Sequence, residues 1–251
     1  MEKIALVTGA TSGIGRATAI KLAEAGYSVI ITGRRWHLLA ELEKKLLKKS
    51  KVLAVSFDIS KREEVEHAFD RLPEEWKNIE ILINNAGLAY GLSSIQNGDL
   101  DDWEIMIDTN VKGLLYITKK VAPVMIAHKS GHIVNLGSIA GKEVYPKGNV
   151  YCATKYAVDA LTKAMRIDLL EHGIKVTQIC PGMVETEFSL VRFKGNKESA
   201  KNVYNNIEPL KAEDVADIIL FAVTRPPNVN LNDIVVMPTA QASAIFINRN
   251  K

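Results

Sequence analysis

Lys3-Ile4-Ala5-Leu6-Val7-Thr8-Gly9-Ala10-Thr11-Ser12-Gly13-Ile14-Gly15 is the stretch on which the reading of this chain turns. The run from Lys3 to Thr8 is short and almost wholly apolar, as expected of a strand buried on both faces of a parallel sheet. Three glycines follow at Gly-x3-Gly-x-Gly spacing, then a helical pattern (Ala17, Ile20, Leu22, Ala23) that stops at Gly26. Strand, glycine-rich turn and helix, in that order, form the context in which such a turn binds a dinucleotide. Glycine lets the backbone turn tightly and approach a pyrophosphate, whose charge then sits among the unpaired N–H groups of the helix N-terminus. The candidate cradle is therefore Gly9, Thr11, Ser12, Gly13, Ile14 and Gly15. A tight turn that binds nothing would look the same in isolation.

The pattern repeats downstream. Tyr27 to Thr32 reads as a second buried strand, and Gly33-Arg34-Arg35 follows it. An acidic residue at the end of this strand would accept hydrogen bonds from a free ribose 2′-hydroxyl, whereas arginine accommodates a 2′-phosphate. No Asp or Glu stands there, so Arg34 and Arg35 favour NADP over NAD; otherwise they cap and solvate the next helix, from about Arg35 to Lys48. A third strand, Val52 to Phe57, ends at Asp58-Ile59-Ser60. Asp58 and Ile59 would meet the adenine edge, or Asp58 or Ser60 would cap the helix beginning near Lys61. A fourth strand, Ile79 to Ile83, runs into Asn84-Asn85-Ala86-Gly87, small and amide residues suited to close approach of a ligand at the carboxyl end of a strand. Strands alternating with helices of this length imply βαβ units, right-handed crossovers and a doubly wound parallel sheet of about seven strands between two helix layers.

With 251 residues, 47% of them hydrophobic, the chain can bury a full core, and no Gly/Ser/Pro-rich linker divides it, so residues 1–251 are expected to form a single domain. The net charge of +3 is small and dispersed, which argues against nucleic acid as a partner. Cys152 and Cys180 are the only cysteines and have no metal-ligand spacing, so neither a metal nor a disulfide framework is expected. The apolar run near the N-terminus is too short for a signal peptide, and none approaches the length of a membrane span. A cytoplasmic protein without a membrane partner is the expectation.

In the second half a long helix is expected from about Asp99 to His128, with Asn110 in its interior. Asn is a mediocre helix former because its side chain competes for backbone bonds. Asn110 is thus either a satisfied buried amide or a local disturbance that holds a water. Ile133 to Ser138 reads as a strand, and a helix carrying Tyr151 and Lys155 follows and stops at Gly173. Positions four apart lie on one helix face, so the phenol and the ammonium stand side by side. Ala157, Ala160, Leu161 and Ala164 make a stripe suited to close packing against another helix. A sixth strand, Ile174 to Ile179, leads into Cys180-Pro181-Gly182-Met183-Val184-Glu185-Thr186.

Thr8-Gly9-x3-Gly13-x-Gly15, Asn84-Asn85-Ala86-Gly87, Asn110, Ser138, Tyr151-x3-Lys155 and Pro181-Gly182, in that order, resemble the short-chain dehydrogenase/reductase family over residues 3 to 240. Gly33-Arg34-Arg35, Asp102-Trp103, Asp108-Thr109-Asn110, Gly148-Asn149-Val150-Tyr151 and Val191-Arg192-Phe193-Lys194-Gly195 are similar to its NADP-dependent 3-hydroxy acid (serine/allo-threonine) dehydrogenase subgroup. The resemblance implies a three-layer Rossmann-type fold, a homotetramer, and hydride transfer between NADP and a secondary alcohol or carbonyl. It makes Tyr151 the acid/base, a role that needs its pKa lowered from about 10 toward 7, worth about 4 kcal/mol. Lys155 would supply that field and bind the nicotinamide ribose, Ser138 would hold the substrate oxygen, and Asn110 would hold a water joining Lys155 to solvent. Asn85, Ala86, Gly87, Pro181, Gly182, Val184 and Thr186 would line the cofactor, the last four at the nicotinamide end.

The polar segment 187–209 is the expected substrate lid. Its Arg192 and Lys194 would pair with a substrate carboxylate, or the segment is a charged surface loop. The apolar tail Ala244-Ile245-Phe246-Ile247 is read as an intersubunit contact. Two alternatives stand beside the main reading: a reductase of 3-oxoacyl thioesters or uncharged carbonyls, and an NADPH-binding regulatory protein.

Overall fold

Alternate residues of the first strand point in opposite directions, and both directions are buried. In the computed structural model, which describes residues 3–249, β1 (Ile4–Val7) sends Ala5 and Val7 into one apolar cluster and Ile4 and Leu6 into another. The chain then continues through α1 (Gly13–Glu24), β2 (Ser28–Gly33), α2 (Trp36–Leu46), β3 (Val52–Ser56), α3 (Arg62–Asp70) and β4 (Ile79–Asn84). Next come α4 (Leu100–Ile107), α5 (Leu114–His128), β5 (Gly131–Leu136), α6 (Asn149–Asp168) and β6 (Ile174–Pro181). The last elements are β7 (Val184–Glu185), α7 (Phe188–Arg192), α8 (Lys197–Asn202), β8 (Leu210–Lys211), α9 (Ala212–Val223) and β9 (Asp233–Val236).

Seven strands pair in the order β3-β2-β1-β4-β5-β6-β9, all parallel, as the doubly wound expectation requires. One face is covered by α1, α2 and α9 through Leu22, Leu39, Leu42, Val215 and Ile219. The other is covered by α3, α5 and α6 through Val65, Ile117, Val121, Val158 and Met165. Two layers of helix with a sheet between them bury the inner strands on both sides, which is why those strands read as near-continuous apolar runs, while the edge strands β3 and β9 are only partly covered.

Three expectations need correction. The helix expected over Asp99 to His128 is interrupted: α4 and α5 are joined by a π-helical turn, Asp108–Gly113, with Asn110 inside it. The Asn110 side chain bonds across to other segments, and the helix accommodates it by widening. Residues 187–209 are not an unpatterned loop, because α7 and α8 fold there and β7 pairs with β8 across the segment. The alanines of the α6 stripe are turned largely outward: Ala160 and Ala164 are exposed and Ala157 half-buried, Leu161 packs at the edge of the core, and Tyr151, Cys152, Lys155, Val158 and Thr162 form the buried face.

His132 gives the sheet a pH dependence. Its Nε2 shares a 2.8 Å hydrogen bond with Thr177 Oγ1, while its buried Nδ1 has no partner among the described residues. Burial, aided by the nearby Lys175, holds its pKa down at about 3. An unfolded histidine protonates near pH 6.5, so between 6.5 and 3 the unfolded chain takes up a proton that the folded chain refuses. Acidification through that window removes stability at about 1.4 kcal/mol per pH unit. Urea unfolding midpoints followed from pH 7 to 4 will fall less steeply in His132→Gln than in the wild type.

Candidate active site

The strand order reverses between β1 and β4, and a cleft of about 440 Å³ opens beyond the carboxyl ends of the strands, where open α/β sheets bind ligands. Its floor is set by Thr8. The Thr8 hydroxyl donates to Ile83 O at 3.2 Å and accepts from the main-chain N–H groups of Asn85 and Ala86, each at 3.0 Å. Asn85 answers with its amide Nδ2, which donates to Thr8 O at 2.8 Å and Gly9 O at 3.2 Å. The glycine turn is pressed against this clasp. Gly9 has φ +66°, and a Cβ there would lie 2.9 Å from Ala86 Cα; at Gly15 a Cβ would lie 2.4 Å from Gly9 O. These glycines allow β1 and β4 to approach each other, and the Asn85 side chain is spent on holding them there.

At the far end, Arg34 Nη1 lies 3.6 Å from Asp58 Oδ2, while Asp58 Oδ1 accepts from Ser60 N at 3.0 Å and Ser60 Oγ at 2.8 Å. Burial pushes the Asp58 carboxyl up, but the Ser60 bonds and Arg34 prevail and hold it below the usual carboxylate range. Asp58 therefore organises its own turn, and α3 starts beyond it. Arg35 Nη2 donates to Thr11 Oγ1 and Ser12 Oγ, each at 2.9 Å, so this guanidinium reaches over the glycine turn. All the cofactor candidates except Gly15 line the one cleft: the turn, the arginines, Asp58 and Ile59, the Asn85-Ala86-Gly87 edge, and Pro181, Gly182, Val184 and Thr186. Gly15 sits behind the turn. A long cleft with main-chain edges, two cations at one end and titratable side chains at the other fits a dinucleotide.

Ser138, Tyr151 and Lys155 also line the cleft, at the end away from the arginines. Ser138 ends an extended segment two residues past β5, and its Oγ accepts from Ala140 N at 3.1 Å. Tyr151 is buried, and burial pushes its phenol well above the usual tyrosine value; the Arg192 guanidinium and a hydrogen bond from Ser138 act in the opposite direction. Lys155 Nζ donates to Leu136 O at 2.8 Å and stands 6.0 Å from the centroid of the Tyr151 ring. Burial brings its pKa down to about 8. Arg192, 4.9 Å from the Tyr151 ring centroid, is thus a second cation beside the phenol, nearer the ring than Lys155. Asn110 does not line the cleft. Its Oδ1 accepts from Leu88 N at 2.8 Å, and its Nδ2 donates to Leu88 O at 2.8 Å and Thr154 Oγ1 at 3.0 Å. Both amide hydrogens are used, so this side chain ties the segment after β4 to α6.

Arg192 lies against the far side of Tyr151 rather than on the main wall. Its guanidinium carbon is 4.9 Å from the Tyr151 ring centroid, 5.0 Å from Phe188 and 5.7 Å from Tyr145. Nη2 donates to Tyr145 Oη at 2.7 Å, and the buried Nε has no partner among the described residues. A small adjoining pocket shares Tyr90 and Tyr151 with the main cleft and includes Arg192. Lys194 is engaged elsewhere, 2.8 Å from Asp102 and 3.5 Å from Asp99. Leu136 O, Thr154, Tyr145 and Phe188 escaped sequence reasoning, and Thr8 was quoted in the glycine motif without a role. A lone threonine before a glycine turn was the one available signal, since the others matter only through contacts made across the fold.

Fold and site together define a dinucleotide-dependent oxidoreductase. Residues 3–197 match the model of the short chain dehydrogenases, and the chain belongs to that family. It is 45% identical over 247 residues to sulfoacetaldehyde reductase 2 of Chromohalobacter salexigens, with 98% of each chain covered. It is 42% identical over 252 residues to the NADP-dependent 3-hydroxy acid dehydrogenase of Schizosaccharomyces pombe, covering 99% of this chain and 97% of that one. Among solved structures, the closed form of serine dehydrogenase complexed with NADP+ aligns with a TM-score of 0.93 at 43% identity, over 96% of this chain and 97% of that one. Among the described residues, no cluster of three or more His, Cys, Asp or Glu side chains is placed to hold a metal, and no helix is long and apolar enough to cross a membrane.

The Thr8 clasp is testable with a near-isosteric change. Thr8→Val leaves the Ala86 N–H without its acceptor, while Asn85 N keeps Ile83 O; losing these half-buried bonds costs about 1 kcal/mol and loosens the Asn85-Ala86-Gly87 edge. Denaturant titration will show the lower stability, and fluorescence titration with NADPH will show weaker binding.

Proposed function

We propose that this chain is an NADP-dependent dehydrogenase of small 3-hydroxy acids, of which serine and allo-threonine are the model forms. The carrying observation is the buried, unpartnered Nε of Arg192 beside Tyr151. A desolvated guanidinium with a free donor is a site for an anion, and a carboxylate held there belongs to a substrate whose hydroxyl reaches the phenol. The relatives' names agree with that chemistry. The sulfonate in the name of another relative presents the same charge.

Arg34 and Arg35 take the 2′-phosphate, the glycine turn and the α1 N-terminus take the pyrophosphate, and residues Pro181 to Thr186 border the nicotinamide. Bound NADP supplies the hydride acceptor or donor. Tyr151 takes the hydroxyl proton when the alcohol is oxidised and returns it when the carbonyl is reduced. With its pKa pushed up by burial, Tyr151 stands protonated at neutral pH, the form that reduction requires. Ser138 donates to the substrate oxygen as charge develops. Lys155 is anchored by Leu136 O and faces Gly87, where it meets the ribose. Asn110 acts by positioning Leu88 and Thr154.

The chain works as one domain, with residues 187–209 as its lid. Assembly as a homotetramer in the cytoplasm is part of the same reading. Supporting it are the outward alanine stripe of α6, with Ile167 exposed at its end, and Ile245 and Phe246 exposed in the tail.

Absorbance of the reduced nicotinamide, followed with NADP or NAD against L-serine, allo-threonine, 3-hydroxypropionate and uncharged alcohols, tests the reading; sulfoacetaldehyde with NADPH tests the reverse direction. Turnover confined to uncharged alcohols would overturn it. Tyr151→Phe will still bind NADPH, with kcat lower by about 10²–10⁴. Arg192→Met will raise KM for anionic substrates by about 10–100-fold, the loss of a charge-assisted bond, and raise KM for neutral alcohols far less, while any change in kcat through the Tyr151 phenol will be common to both.

A further inference from the structure

Both arginines assigned to the 2′-phosphate already face a carboxylate. Arg34 faces Asp58, which the Ser60 turn fixes in place. Arg35 Nη1 meets Glu187 Oε2 at 2.9 Å, while its Nη2 is spent on Thr11 and Ser12. Glu187 differs from Asp58 in what it is attached to. It immediately precedes α7, which carries Phe188 and Arg192 onto the Tyr151 ring. Beside it, Thr186 abuts the glycine turn, where a Cβ on Gly13 would lie 3.2 Å away. The Arg35–Glu187 pair thus joins the first residue of the lid to the glycine turn across the mouth of the cleft, and both residues line it.

We infer that Glu187 is a cofactor-selecting residue of the lid, whose carboxylate competes with the 2′-phosphate for Arg35. The inference rests on the assignment of Arg34 and Arg35 to NADP. A phosphate monoester brings more negative charge than a carboxylate and several acceptor oxygens, and it cannot share one guanidinium edge with Glu187 without like-charge repulsion. Binding of NADP therefore releases Glu187 from Arg35. A dinucleotide with a free 2′-hydroxyl makes no claim on the guanidinium, and the pair persists. The lid is in this way informed, at its first residue, of which dinucleotide lies in the cleft. Both side chains are almost half exposed, at 42% and 47%, so solvent screens the pair and the effect is a modest multiple.

Dissociation constants of NADPH and NADH, measured by fluorescence titration at fixed low salt, test this in the wild type, Glu187→Gln, Glu187→Ala, Arg35→Ala and the Arg35→Ala/Glu187→Gln double variant. Either change at Glu187 will tighten NADPH by about three- to fivefold and leave NADH within about twofold, and the gain will vanish without Arg35. Weaker NADPH binding, an equal change for both dinucleotides, or a gain that survives Arg35→Ala overturns the competition. A wild type that binds NADH as tightly as NADPH removes the NADP assignment itself, and the inference with it.

Discussion

The Thr8 hydroxyl sits between two strand ends and satisfies three main-chain groups of the neighbouring strand end, Ile83 O, Asn85 N and Ala86 N. Thr8 N and Asn85 N also share Ile83 O, so the hydroxyl closes a compact set of half-buried bonds that sets the edge Asn85-Ala86-Gly87 against β1. Much of the site is referenced to that edge. A Cβ on Gly87 would lie 3.2 Å from Asn110 Oδ1 and 3.7 Å from Lys155 Nζ, so the edge passes directly from the glycine turn to the catalytic helix. Cofactor cradle and proton-transfer groups are thereby held to one frame.

A set of buried polar contacts carries that frame into the helices. Asn84 Nδ2 donates to Thr118 Oγ1 on α5 and Asn135 Oδ1 on β5, and Asn135 Nδ2 donates to Thr162 Oγ1 on α6. Asn110 holds Leu88 and Thr154, and Lys155 holds Leu136 O. Apolar packing could place α5 and α6 on the sheet with some freedom to slide. Directional bonds at successive levels remove that freedom, and Tyr151 and Lys155 ride on the helix so fixed.

The architecture was legible because burial on both faces leaves the strands with an unmistakable composition; Ile4-Ala5-Leu6-Val7 cannot easily be anything else. The residues of the cleft were legible for a related reason. Glycines at close approaches and small residues at strand ends answer local constraints that leave a mark in the chain. What stayed hidden depends on partners distant in sequence. Nothing near Asn110 indicates that its amide meets Leu88 and Thr154, and the π turn follows from those bonds. Arg192 was found as a candidate cation, but its stack against Tyr145, Tyr151 and Phe188 comes from three segments that only the fold assembles. The lid looked unpatterned because α7 and α8 are too short for an apolar period to emerge.

The π turn between α4 and α5 also resets the phase of the rod that contains it. One residue more per turn rotates everything beyond it by about 100° relative to an uninterrupted α-helix. Before the turn, Trp103 and Met106 pack with Leu88 and Tyr151; after it, Leu114, Ile117, Val121 and Met125 face the sheet. A single rod thus serves two cores that lie in different directions, and the extra residue is what aims each half. Removing one residue from Asp108–Gly113 would restore regular winding and bring the wrong stripe of α5 to the sheet.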